Sequence, residues 1–184
     1  MDKNWITRKS FLFGSVDMFQ QFGVFLEAPP ERVLLPGLRP QKAIIPQRHG
    51  AYDFGAKYYD EQGLRLKCAT IRTLQTADTR EIAYVISRKS EIRIWDEPEK
   101  YYIGRIYDET ALEQLRNTAN RFVLTLICEP FAYGQTVTKP FSGLNYAPEY
   151  PGTAETPTYI EIVNTGSQPV TNIRITQIDK RNNY

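Results

Sequence analysis

The chain has 184 residues, with 23 Lys+Arg, 21 Asp+Glu and one His, for a formal net charge of +2. With 41% apolar and 24% charged residues it has an ordinary globular composition, which excludes a disordered tail, a collagen-like fibre and a disulfide mini-protein. At about 150 residues per domain the length fits one domain, or one plus part of a second, and the near-neutral charge excludes a dedicated nucleic-acid binder.

Aromatics make up 12% of the chain, including 12 Tyr and 9 Phe, which favours strands and protein contact surfaces. No run approaches the roughly 18 apolar residues of a membrane helix. Met1-Asp2-Lys3-Asn4-Trp5 lacks the basic-then-apolar pattern of a secretory leader. The expectation is a chain made and folded in a cytosol, with Cys68 and Cys128 reduced.

Ser10–Gly14 and Phe22–Leu26 read as strands around a turn at Gly14-Ser15-Val16-Asp17. Pro29 and Pro30 end the second, because proline cannot donate to a ladder. Pro29–Pro46 reads as a loop or extended arm holding a short strand near Ala43–Ile45. Gly50 and Gly55 bracket Ala51–Phe54, a turn into or out of a strand that reads as glycine-demanding, with an interface loop as the alternative.

Leu64, Leu66 and Cys68 alternate with Arg65, Lys67 and Ala69, the period of a half-buried strand. A helix is predicted where Ile82, Val85 and Ile86 share one face, with Thr79 or Asp78 at its start and Arg88 and Lys89 suiting the dipole at its end. Ile92–Trp95, a turn at Asp96–Lys100 and Tyr101–Ile106 form a strand–turn–strand pattern, with Pro98 in the loop. Gln114–Arg121 reads as a short helical turn. Arg121–Cys128 is apolar on both faces and reads as a central strand.

Beyond Pro140 the texture changes. Residues 141–157 are rich in proline and glycine and read as a linker. Tyr159–Val163 and Val170–Ile175 read as strands flanking a turn at Asn164-Thr165-Gly166-Ser167. A lone hairpin is marginal in water, so residues 158–184 are expected to open a second β-domain or to dock elsewhere. The expected domains are 1–140, a linker 141–157 and the partial domain 158–184.

Catalytic chemistry finds little to use. His49 is the sole histidine, which excludes His-rich metal sites, and the two cysteines are too far apart in sequence for a local zinc pair. Both thiols fall on apolar strand faces, where they act as small hydrophobes. A Cys–His hydrolase would need one of them to meet His49 in a cleft. Asp60-Glu61 and Asp96-Glu97 read as solvated turn charges. No phosphate-cradling loop or nucleophile elbow is present. Lys42, Arg48 and Lys57 among Tyr52, Tyr58 and Tyr59 could suit single-stranded nucleic acid, but the balanced charge favours a protein interface. Catalytic, cofactor-binding and metal-binding residues are therefore each expected to be none.

Several segments, in order, resemble the distal tail protein family of siphophages, the long-tailed, non-contractile bacteriophages. Ser10–Gly14 with Phe22-Gly23-Val24 is similar to the family's opening, and Ile45–Gly55 to its proline–arginine–glycine–tyrosine–aspartate stretch. Trp95–Tyr102 resembles its aspartate–proline–lysine–tyrosine–tyrosine turn. Cys128–Gly134 resembles the close of its N-terminal domain, with Glu129 where aspartate is frequent.

The resemblance implies a mainly β (α+β) fold: an antiparallel, β-sandwich-like N-terminal domain with one packed α-helix, then a linker and the first strands of a second β-domain. It also implies a non-enzymatic phage tail-tip, or baseplate, hub in the virion, a homohexameric ring joining tail tube to tail tip. Expected partners are the chain itself, the major tail tube protein, the tail-tip protein and receptor-binding proteins, with no membrane and no specific nucleic acid. The family's second domain is galectin-like, and residues 158–184 would only begin it, as in a partial chain. The alternative is a carbohydrate- or receptor-binding β-module; a hydrolase is the third class.

Overall fold

Alternating apolar residues build a strand-dominated chain in the computed structural model, which describes residues 4–55, 58–115, 119–140, 152–154, 156–169, 171 and 173–174. In chain order the elements are α1 (Asn4–Thr7), β1 (Phe11–Phe13), β2 (Val16–Asp17), α2 (Met18–Phe22), β3 (Val24–Leu26), β4 (Glu31–Arg32), β5 (Lys42–Ile44), β6 (Ala51–Asp53), β7 (Gln62–Thr70), α3 (Thr76–Ile86), β8 (Ser90–Ile94), β9 (Tyr102–Ile106), β10 (Leu112–Leu115) and β11 (Ala119–Cys128). They lie in the first of two units, Met1–Gly143 and Leu144–Tyr184.

The main sheet is antiparallel with the order β2-β1-β8-β9-β11-β7-β3; β10 also pairs with β11 and β4 with β7. The long β7–β11 ladder sets Leu66 opposite Leu124 and Leu64 opposite Leu126, all buried. β11 is central, as its two apolar faces predict.

The sheet curls until its ends meet. Although β1 and β3 are far apart in strand order, Leu26 N donates to Lys9 O at 2.9 Å and Ser10 Oγ to Val24 O at 2.7 Å. One core fills the curl, with Phe11, Met18, Phe22, Leu66, Ile92 and Leu124 almost wholly withdrawn from water. Each such side chain contributes about 1.5–3 kcal/mol of burial. The result is the mainly β, sandwich-like α+β fold expected from the sequence.

The turn expected after Gly14 is a hairpin followed directly by α2. Asp17 caps this helix by accepting from Phe19 N at 2.9 Å and Gln20 N at 3.0 Å. Gly23 ends it at φ +70, and an added Cβ there would meet Ile71 Cγ1 at 2.6 Å. The predicted amphipathic helix is α3, with Ile82 buried and Val85 and Ile86 packed on the core. It starts earlier than its apolar face suggests, because Asp78 Oδ2 accepts from Gln75 N at 3.0 Å. A buried amide fixes its approach: Asn120 Oδ1 accepts from Leu74 N at 2.7 Å, and Asn120 N donates to Thr70 Oγ1 at 2.9 Å.

One expectation is corrected. The segment read as a helical turn from Gln114 carries β10, paired Leu112↔Phe122 through Leu115↔Ala119. The adjoining β11 pairs with β10 along its whole length, and this long-range partner overrides the local preference. Of the hairpin expected in the second unit, Tyr159–Val163 has no ladder among the described residues, and half of its expected partner Val170–Ile175 lies outside them. The turn itself is present: Asn164 Oδ1 accepts from Gly166 N and its Nδ2 donates to Gln168 O, both at 2.9 Å.

Candidate assembly surface

Between β4 and β7 the chain leaves the main sheet as an arm. Its neck is an antiparallel bridge, Leu38↔Tyr59, reinforced by Arg39 N to Tyr58 O and Asp60 N to Gly37 O, each 2.7 Å, and by an Arg39–Asp60 ion pair at 2.9 Å. Beyond the neck, β5 and β6 form their own two-stranded sheet, Lys42↔Asp53 through Ile44↔Ala51. Positive φ at Gln47 (65°), Gly50 (77°) and Gly55 (89°) turns the chain around and out of the hairpin.

The arm exposes apolar side chains that a monomer would be expected to bury. Leu34 is fully exposed, Ile44 is 86% exposed and Phe54 66%, with Leu35, Leu38, Tyr52 and Tyr58 also open. Leu34 and Leu35 are neighbours in sequence and Tyr52 touches Phe54, and exposed apolar groups gathered in this way mark an interaction surface. Tyr52 and Phe54 already meet edge to face at 4.8 Å, and the Arg48 guanidinium lies 5.2 Å from the Tyr52 ring centre.

The root of the arm is fixed from two sides. Arg32, paired opposite Leu64 on β7, reaches the β8–β9 turn and grips Asp96 with both terminal nitrogens at 2.6 and 2.8 Å. Its Nε donates to Tyr102 Oη at 3.0 Å, and Tyr102 Oη donates to Glu97 at 3.3 Å. The Asp96 contact raises the Arg32 pKa further; burial raises that of Tyr102, with Glu97 adding to the effect. On the other side Tyr59 stacks edge to face on Phe131 at 5.3 Å.

Phe131 lies in the segment read as closing the domain, where the backbones of Tyr101 and Tyr133 pair in both directions and their rings stack at 5.5 Å. Glu129 accepts from Lys89 and from Tyr133 Oη, each at 2.6 Å; its carboxyl is held below the usual range and the Tyr133 pKa is pushed up to about 12.

The residues weighed for chemistry are scattered. His49 is exposed in the hairpin turn, whereas Cys68 and Cys128 are buried on β7 and β11. Cys68 faces Phe122 and Cys128 faces Gln62 across the ladder, so the thiols lie about 20 Å apart at strand spacing. Burial raises both thiol pKa values, that of Cys128 to about 12. Asp60 and Asp96 are engaged by arginines, Glu61 is exposed, and Lys57 lies outside the described residues. Arg48 and Tyr52 do meet on the hairpin, whereas Lys42 stands opposite Asp53. Among the described residues no three His, Cys, Asp or Glu side chains gather as a metal site, and no helix is long and apolar enough to cross a membrane.

Sequence reasoning placed the arm but missed the Arg32–Asp96 grip, which joins residues 64 positions apart. Only the conspicuous Asp-Glu-Pro-Glu turn hinted at a role.

No protein-family model matches the sequence, and no curated protein matches it. Among solved structures the chain is similar to the SPP1 Dit protein, a structure whose authors present it as a paradigm of the hub adsorption apparatus of phages infecting Gram-positive bacteria. The likeness has a TM-score of 0.50 at 18% identity and covers 68% of this chain but only 51% of that one. Chains from gene transfer agent particles also match: one from a native virion at TM-score 0.35 and 10% identity (60% of this chain, 85% of that), and one from an empty-particle tail at 0.33 and 7% (63% and 84%). Over 68% of its length the chain thus shares the fold of the SPP1 Dit protein.

Proposed function

We propose that the chain is a distal tail protein: a structural, non-enzymatic subunit of a phage tail-tip hub. Copies close into a hexameric ring that joins the major tail tube protein to the tail-tip protein and the receptor-binding apparatus. The ring is put together in the host cytoplasm and resides in the virion. Residues 1–140 form the ring, 141–157 the linker and 158–184 the start of a second β-domain. The observation that carries this reading is the fold shared with SPP1 Dit over 68% of this chain, and it is supported by an arm whose exposed apolar side chains suit burial against a neighbour. The mechanism is assembly. A closed ring of identical subunits needs two different complementary patches on each copy, and catalysis plays no part in forming it.

The test is localisation together with mass. Antibody labelling of phage particles is expected to mark the tail tip, and negative-stain averages of the purified chain are expected to show rings. Particles without the chain overturn the reading, as does turnover of a substrate by a solitary subunit. Glycan binding by a chain absent from the tail would favour the carbohydrate-binding alternative.

A further inference from the structure

A second open surface lies across the sheet from the arm. Residues 64 and 65 of β7 pair with β4 on one side and β11 on the other, while Arg121 and Phe122 of β11 pair with β7 on one side and β10 on the other. The arm therefore springs from one flank of the β7–β11 pair, and β10 borders the opposite flank.

β10 continues β9 along β11 with an interruption. Ile106 pairs with Leu126 and Leu112 with Phe122, so Tyr107–Ala111 bulge outward over only three β11 residues. β8 stops pairing at Gly104, and the outer side of the strand from Arg105 to Leu115 has no ladder partner among the described residues. This edge exposes Tyr107 and Leu112. It also carries Asp108, Glu109 and Glu113, all exposed and without an ion pair among the described residues, and residues 107–113 contain no Lys or Arg. The hairpin arm has the opposite character: neither outer edge of its sheet has a ladder partner among the described residues, Ile44 and Phe54 are exposed, and Lys42 and Arg48 outnumber Asp53.

We infer that the β5–β6 hairpin of one copy docks by strand addition on the β9–β10 edge of the next copy, with Lys42 and Arg48 facing Asp108, Glu109 and Glu113. The inference rests on the ring reading above and names the two patches that reading requires. An unpaired strand edge is a template for another strand, and opposite charge sets partner and register. A donor and an acceptor on opposite flanks of one subunit make a head-to-tail contact, the kind that propagates into a ring.

Charge reversal tests it on the full chain. Lys42→Glu with Arg48→Glu, and separately Glu109→Lys with Glu113→Lys, are each expected to raise the concentration needed for self-association by roughly tenfold or more in sedimentation velocity. Combining the four changes is expected to restore it. Unchanged thermal melts of the dilute variants show that the fold is intact. Undiminished association in either pair, or no recovery in the combination, overturns this docking while leaving the ring reading in place. A wild-type chain that stays monomeric at every concentration also overturns the docking, and the hub reading is then judged on the labelled particles.

Discussion

The Arg32–Asp96 contact gives the sharpest test of how the arm is held. Both side chains are about three-quarters shielded, at 24% and 23% exposure, and the contact is bidentate at 2.6 and 2.8 Å. An exposed ion pair contributes about 0–1 kcal/mol, whereas a hydrogen bond to a charged group contributes about 1.5–3. Shielding and the paired geometry put this contact nearer the second figure, so we expect a coupling of about 2 kcal/mol. The measurement is a double-mutant cycle of Arg32→Met, Asp96→Asn and the pair, with stability from urea unfolding at neutral pH. Met keeps much of the aliphatic stem, which separates lost packing from lost charge. Arg32→Met is also expected to increase proteolytic cleavage within residues 33–58, because the arm loses one of its two anchors. A coupling below about 0.5 kcal/mol would place this pair with ordinary surface contacts and refute the reasoning.

Gly104→Ala is expected to cost about 1–3 kcal/mol in thermal or urea unfolding, because the new Cβ would stand 2.5 Å from Cys128 Sγ and 2.9 Å from Ile127 O; a neutral result would mean that β9 and β11 can separate freely. Asn120→Ala leaves the buried Leu74 N without its acceptor and should cost about 1–3 kcal/mol, loosening the entry to α3, which amide hydrogen exchange would report. Glu129, Glu31 and Asp78 have carboxyl pKa values below their usual ones, chiefly through hydrogen bonds to Lys89, Lys67 and Arg72 respectively. A depressed carboxyl stabilises the fold above its unfolded pKa, and that contribution fades as pH falls through the folded value, so melting temperature should drop below about pH 4, less steeply in Glu129→Gln. Cys68 and Cys128 should resist a thiol reagent at pH 8 until denaturant is added, since both thiols are buried with raised pKa values; rapid labelling of the native chain would contradict their core placement.

The local features of this protein were legible from residue order, because strand and helix periods are written in side-chain spacing. The alternation of Leu64, Leu66 and Cys68, the doubly apolar run to Cys128 and the stripe of Ile82, Val85 and Ile86 each named an element that the fold contains. The prolines from Pro29 onward likewise marked a segment unable to join the main ladder in full. What depended on distant partners was decided only in three dimensions. Leu112–Leu115 became a strand because β11 lay beside it, and Arg32 found Asp96 only because the sheet curls back on itself. The same curl put an open, acidic edge and an apolar, basic arm on opposite flanks of β7 and β11. No local pattern encodes that placement, since strand order and closure arise from burying one shared core rather than from any single segment.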